Sequence, residues 1–165
     1  VKQLTDNRQQ PGVSEMAFIA DVHLGKLAKH LRMLGIDTYY KNDLPLAALL
    51  HIAHSVNRIV LSRNAALSKP EQRSLRIESE NPMTQLHQVI RTYELKNDFH
   101  PFSRCLVCNG TLEVREKETI AMLLEEDTRR FFNQFWQCTS CQRLYWKGSH
   151  YERMMKLWRQ LETSL

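Results

Sequence analysis

The chain has 165 residues, 42% of them hydrophobic and 25% charged, the composition of a folded globular protein rather than a disordered or fibrous one. That length holds one domain with a real core, or one domain plus a small metal-held appendage. The net charge of +5 fits a polyanionic partner such as nucleic acid. No apolar run approaches the roughly 18 residues that span a bilayer, and no signal peptide is read; zinc-type thiolates with no sign of a disulfide framework favour a reducing compartment, hence the cytoplasm. The chain starts at Val1 rather than Met, so it reads as a piece of a longer protein or a chain lacking its initiator.

Residues 1–15 are polar, with Gln9-Gln10-Pro11-Gly12, and read as a linker or disordered lead-in. Met16 to Ala20 is a short apolar run ending at Asp21, the pattern of a buried strand in a parallel sheet. A helix over His23 to Leu34 follows, with Leu24, Leu27, Leu31 and Leu34 as its apolar stripe; Lys26, Lys29, His30 and Arg32 lie off that stripe, and Gly35 ends it. Asp37 reads as a turn residue, and Thr38-Tyr39-Tyr40 as a second strand. Asp43 is placed as the N-cap of a second helix with Pro45 in its first turn and Leu46, Leu49, Leu50 and Ala53 inward.

Ile59-Val60-Leu61 is a third strand, closed by the polar turn Ser62-Arg63-Asn64. A weaker strand lies near Leu75-Arg76-Ile77. Asn81-Pro82 opens a third helix with Leu86, Val89, Ile90 and Tyr93 inward. Strands alternating with helices imply an α/β domain with a mainly parallel sheet over residues 16–99. Residues 100–165 hold a cysteine module and a terminal helix. A helix is expected from Thr119 to Arg130, a hairpin from Phe135-Trp136-Gln137 and Leu144-Tyr145-Trp146, and a capping box at Ser149 and Glu152.

The four cysteines fall as Cys105-Leu-Val-Cys108 and Cys138-Thr-Ser-Cys141. Two thiolates two residues apart grip one ion from a single tight turn, and two such turns supply a tetrahedron of sulfur, the donor set of a closed structural zinc site. The alternative is two disulfides or ordinary thiols. The aromatic residues Phe135, Trp136, Tyr145 and Trp146 flank the knuckles; they are candidates for stacking on bases or for the small core of a ribbon.

Ligands of open α/β sheets bind beyond the carboxyl ends of the strands. Asp21, Asp43, Asn64, Glu78 and Glu80 all follow strands in this way, and clustered oxygen donors suit Mg²⁺ or Mn²⁺. Each has a plainer reading as a cap or a solvated charge. His23, His30, His51 and His54 are read as structural or solvent-facing. Lys26, Lys29 and Arg32 are candidates for holding phosphates.

Phe18-Ile-Ala-Asp21, Leu24-Gly-Lys-Leu-Ala28, Leu31-Arg-Met-Leu-Gly35 and Asp37-Thr38 resemble the first half of the Mut-seven C-terminal RNase domain family, a PIN-like fold. Arg58-Ile-Val-Leu-Ser-Arg63 resembles its third-strand motif. Ser103 to Gly110 and Tyr145 to Arg153 resemble its zinc ribbon. The resemblance implies a three-layer PIN-like domain fused to a C-terminal four-cysteine zinc ribbon, with structural zinc at Cys105, Cys108, Cys138 and Cys141. It further implies an Mg/Mn-dependent ribonuclease with Asp21 and Asp43 as metal-binding acids. Asn64 stands where the family has a third Asp, and Val22-His23 departs from a small residue followed by an apolar one. Asn keeps a ligating carbonyl oxygen but removes a charge, so weaker Mg²⁺ binding is expected.

The expected activity is therefore hydrolysis of RNA by Asp21, Asp43, Asn64 and Glu80, with Lys26, Lys29, Arg32 and Arg63 positioning phosphates. The alternatives are a catalytically degenerate RNA-binding module, and a ribbon that docks a protein partner or an upstream domain.

Overall fold

The computed structural model describes residues 16–67 and 73–164; the lead-in read at 1–15 lies outside them. Strands β1 (Ala17–Ala20), β2 (Asp37–Tyr40), β3 (Ile59–Ser62) and β4 (Ser74–Arg76) form one parallel sheet in the order β2-β1-β3-β4. Helices α1 (Gly25–Met33), α2 (Leu46–Ser55) and α3 (Pro82–Thr92) connect or follow them. Alternation along the strands divides the core. Phe18, Ala20, Ile59 and Leu61 pack with the leucines of α1 and with Leu86, Val89 and Ile90 of α3. Ile19 and Val60 point the other way, onto Leu49 and Ala53 of α2. The sheet is thus covered on both faces, the expected three-layer α/β architecture.

The stripe Leu24, Leu27, Leu31 and Leu34 is fully buried, each leucine contributing about 1.5–3 kcal/mol relative to an exposed position. Gly35 ends α1 in the left-handed region, φ +84°. The Gly35 N–H donates to the Arg32 carbonyl and the Ile36 N–H to the Leu31 carbonyl, the two bonds of a Schellman motif. The Cβ of any other residue at 35 would lie 2.2 Å from the His100 carbonyl oxygen.

Some expectations are corrected. Helix α2 begins at Leu46, and its N-cap is Pro45 in an extended conformation (ψ 147°), so Asp43 caps nothing; proline holds the residue before it out of helical geometry and moves the start downstream. Asp37 is the first residue of β2 rather than part of a turn. The stretch expected as one helix from Thr119 to Arg130 is two short helices, α4 (Lys117–Ile120) and α5 (Glu126–Phe131), separated by a 3₁₀ turn and extended Leu124. Met122 and Leu123, which an unbroken helix would have to place, are exposed there. The terminal helix α6 (Ser149–Ser164) already includes Ser149, and the Glu152 N–H donates to the Gly148 carbonyl.

Strands β5 (Leu112–Arg115), β6 (Phe135–Cys138) and β7 (Leu144–Trp146) form an antiparallel sheet carrying the two cysteine turns, consistent with a zinc ribbon. Leu106 of the first turn and Leu161 of α6 belong to the same buried cluster as Phe18. Ring pairs Phe99–Trp158 at 5.2 Å and Phe102–Tyr151 at 4.5 Å tie α6 to the segment that leaves the α/β domain. Gly35→Ala is expected to destabilise the chain by more than about 1 kcal/mol, because both the φ and the approach of His100 exclude a side chain; urea unfolding measures it, and an unchanged midpoint would contradict the packing described.

Candidate functional site

Chain order puts β2 on one side of β1 and β3 on the other, so the crossover direction reverses between β1 and β3. The carboxyl ends of those two strands flank the point where α/β sheets open a ligand crevice. Asp21 follows β1 there, 8% exposed. Its Oδ1 accepts from the His23 N–H at 2.9 Å, and its Oδ2 from the Ser62 hydroxyl and the Arg63 N–H, the latter at 2.9 Å. The Asn64 N–H donates to the Ser62 hydroxyl oxygen at 3.0 Å. The turn after β3 is therefore built around the carboxylate of the residue after β1. A cavity of about 490 Å³ opens here, walled by Asp21, His23, Leu44, Ser62, Arg63 and Asn64, among others.

Asp43, Glu78 and Glu80 do not line this cavity. The Asp43 side chain is 68% exposed and pairs with Lys41 at 3.4 Å. Glu80, 84% exposed, pairs with Arg63 at 2.9 Å, and Glu78 lies 4.0 Å from Arg76. Among the described residues, the acids at this edge form no group of three that could share an ion. Asn64 Oδ1 accepts from the Ala66 N–H at 3.0 Å.

Lys26 and Lys29 are exposed on α1. Arg32 is not, which corrects its expected role at phosphate: it is 3% exposed, and its guanidinium donates to the carbonyls of Thr38, Leu106 and Val107. A helix lysine can reach outward, but position 32 faces the cysteine turn, where unpaired carbonyls need donors. His30 is half-buried, its Nδ1 lacks a hydrogen-bond partner, and burial together with Lys29 and Lys26 lowers its pKa. His51 and His54 are exposed, as is His23 at the cavity wall.

The sulfurs of Cys105, Cys108, Cys138 and Cys141 all lie within 4.8 Å of one another, and none forms a disulfide. The Cys105–Cys141 and Cys108–Cys138 separations are 3.6 and 3.4 Å, close to the roughly 3.8 Å edge of a tetrahedron of sulfur around zinc. Each turn is closed by a residue in the left-handed region, Asn109 (φ 69°) and Gln142 (φ 61°). Gly110 leaves room for the second turn, since a Cβ there would meet Cys138 Sγ at 2.8 Å. Burial raises the Cys105 thiol, but the Tyr145 hydroxyl and backbone N–H groups outweigh it and bring the pKa to about 6. Burial and the neighbouring thiols push Cys108 up to about 12. Four sulfurs gathered this closely, with no disulfide among them, form a donor set that fits a metal ion.

Asp37 joins this cluster to the parallel sheet. Its carboxylate pairs with Arg58 at 2.5 Å and Arg104 at 3.4 Å and accepts from Asn109 Nδ2 at 2.7 Å. Asn109 Oδ1 in turn accepts from the Thr38 N–H at 3.0 Å. Sequence reading passed over this node, as it did the Ser62 donor to Asp21. The signal for Ser62 is a hydroxyl closing an otherwise apolar strand; the partners of Asp37 lie 21 to 72 residues away and leave no local signal.

A three-layer parallel sheet with a held carboxylate at its switch point, carrying a four-cysteine cluster, is the architecture expected of a PIN-like domain with a zinc ribbon. The Mut7-C RNAse domain model matches residues 16–158, and the chain belongs to that family. No curated protein and no solved structure matches it.

Two outcomes test this geometry. Burial alone would raise the Asp37 carboxyl, but the hydrogen bond from Arg58, the charges of Arg104 and Arg58 and the Asn109 amide bring it below the ordinary carboxylate range. A depressed folded-state pKa contributes stability that is complete above the unfolded value near ~3.9 and is lost as pH falls through the folded value. Asp37→Asn is therefore expected to cost on the order of 2–3 kcal/mol at neutral pH, with the gap to wild type closing below about pH 4; urea titrations from neutral to acid pH measure it. Cys105→Ser is expected to release bound metal, which a chromogenic chelator reads directly.

Proposed function

We propose that the chain is a metal-dependent ribonuclease that hydrolyses RNA phosphodiester bonds at the Asp21 edge of the sheet. The observation that carries this is the nearly buried Asp21 carboxylate, held by Ser62 and the Arg63 N–H at the wall of the cavity, in a member of an RNase-domain family. A carboxylate has about four acceptor positions. Three are occupied in Asp21, which leaves one for an ion. Mg²⁺ is commonly held by one or two carboxylates together with waters and substrate phosphates, so this donor set fits an ion that is retained mainly when RNA is present. When bound, Mg²⁺ or Mn²⁺ supplies water activation and charge neutralisation at the leaving oxygen.

The roles of the chain's own residues follow. Asp21 is the anchoring carboxylate, and Ser62 and the Arg63 N–H fix its orientation. Asn64 offers a neutral oxygen beside it. Arg63 holds phosphate in competition with Glu80, while Lys26 and Lys29 draw the polyanion along α1. Asp43, exposed and paired with Lys41 in the turn before α2, is the second acid that would contribute. Zinc at the four cysteines is structural, since four sulfurs close the coordination shell. Reduced thiolates of this kind fit a reducing compartment such as the cytoplasm.

A second reading, RNA binding without cleavage, is favoured by Asn64 in place of an acid and by the exposed Asp43 carboxylate, which pairs with Lys41 and is not among the residues lining the cavity. Cleavage of a labelled single-stranded RNA with Mn²⁺, with Mg²⁺ and without added divalent ion separates the two. The nuclease reading expects divalent-dependent cutting that falls to background in Asp21→Asn, and Mg²⁺ affinity raised at least about tenfold in Asn64→Asp. Cutting restricted to Asn64→Asp would favour the binding module.

A further inference from the structure

A second cavity, of about 540 Å³, lies where the ribbon meets α6 and the exposed face of α1. Phe102, Trp136, Tyr145, Trp146 and Tyr151 present rings to it, and Lys29, Arg143 and Lys147 bring cations. Among the described residues that line it, none is Asp or Glu. These rings are not simply the ribbon's core. Phe135 takes that place, fully buried, while Trp136 is half-buried and Trp146 is 38% exposed. Lys147 Nζ sits 5.7 Å from the centre of the Trp136 ring and 5.8 Å from that of Tyr151. A positive charge is thus held between two π faces.

We infer that this groove binds single-stranded RNA, taking unpaired bases against Trp136 and Tyr151 and their phosphates on Lys147, Arg143 and Lys29. RNA supplies the negative charge that the described lining lacks, and flat bases that can stack on the rings where Lys147 now lies over them. Paired bases are stacked on one another and cannot enter, so the occupant is a single strand. Lys29 also links the groove to the Asp21 cavity. It stands on α1 one turn beyond Lys26, and the helix begins at Gly25, four residues after Asp21; Gly25 to Lys29 is about 6 Å of helix. A strand seated in the groove is therefore led over Lys29 and Lys26 to Asp21. The inference rests on the ribonuclease reading for the purpose of that path, but the binding itself does not.

The test is fluorescence anisotropy of a labelled single-stranded RNA oligomer with the full chain, in the absence of added divalent ion and chelator, beside a duplex of the same sequence. The expected result is tighter binding of the single strand, a loss of roughly tenfold or more in Trp136→Ala, and retention of most affinity in Trp136→Phe. Lys29→Ala and Lys147→Ala should each reduce the slope of log affinity against log salt by about 0.7. Metal content and circular dichroism show whether each variant is folded. Unchanged affinity and salt slope in folded Lys29→Ala and Lys147→Ala would overturn the proposal, as would equal binding of the duplex. If Asp21→Asn loses cleavage while the groove variants bind as wild type, the groove is wrong and the nuclease reading stands. If the groove variants lose binding while no variant cleaves, the groove stands and the nuclease reading falls.

Discussion

The carboxylate of Asp37 holds the two halves of the chain in register. It stands at the start of β2, the edge strand of the parallel sheet, and collects Arg58 from the strand side and Arg104 and Asn109 from the cysteine turn. Removing such a charge from water is costly, and it is tolerated because two guanidinium groups and an amide replace the lost solvent. Arg32 completes the seam from the other direction. Its buried guanidinium ties the Thr38 carbonyl of β2 to the Leu106 and Val107 carbonyls of the first cysteine turn. Burial lowers its pKa, and the thiols of Cys105 and Cys108 with Asp37 pull it back up. The seam therefore joins the cysteine turn to the edge of the sheet.

That coupling has a functional consequence. The ribbon is not tethered to the sheet by a linker; it is hydrogen-bonded to β2 and shares a core with α1 and α3. A rigid seam sets the distance between the Asp21 cavity and the aromatic groove, with α1 as the ruler between them. Both surfaces depend on the same helix: its first turn follows Asp21, its inner face forms the core, and its outer face carries the lysines.

The fold was largely legible because its signals are local. Four leucines at helical spacing, an apolar run ending in Asp21 and paired cysteines each imply one structure, and the buried stripe, the parallel strand and the sulfur quartet follow. Legibility failed where partners are remote in sequence. Arg32 looked like a surface cation because helical spacing says nothing about which carbonyls lie opposite. Asp37 looked like a turn residue because Arg58, Arg104 and Asn109 converge on it only in the folded chain. Asp43 was read by position after a strand, and Pro45 displaced the helix start that would have held it. At the candidate site, Asp21 could be read from its strand, whereas the Ser62 hydroxyl that orients it required the β1–β3 pairing.

Native-state hydrogen exchange with and without the sulfur-bound metal tests the central claim, that the ribbon and the sheet are one cooperative unit. The account predicts that metal removal lowers the protection of the Thr38 amide, which donates to Asn109, and of neighbouring β1 and β2 amides, together with that of the ribbon. Loss of protection confined to residues 104–146, with β1 and β2 unchanged, would contradict it.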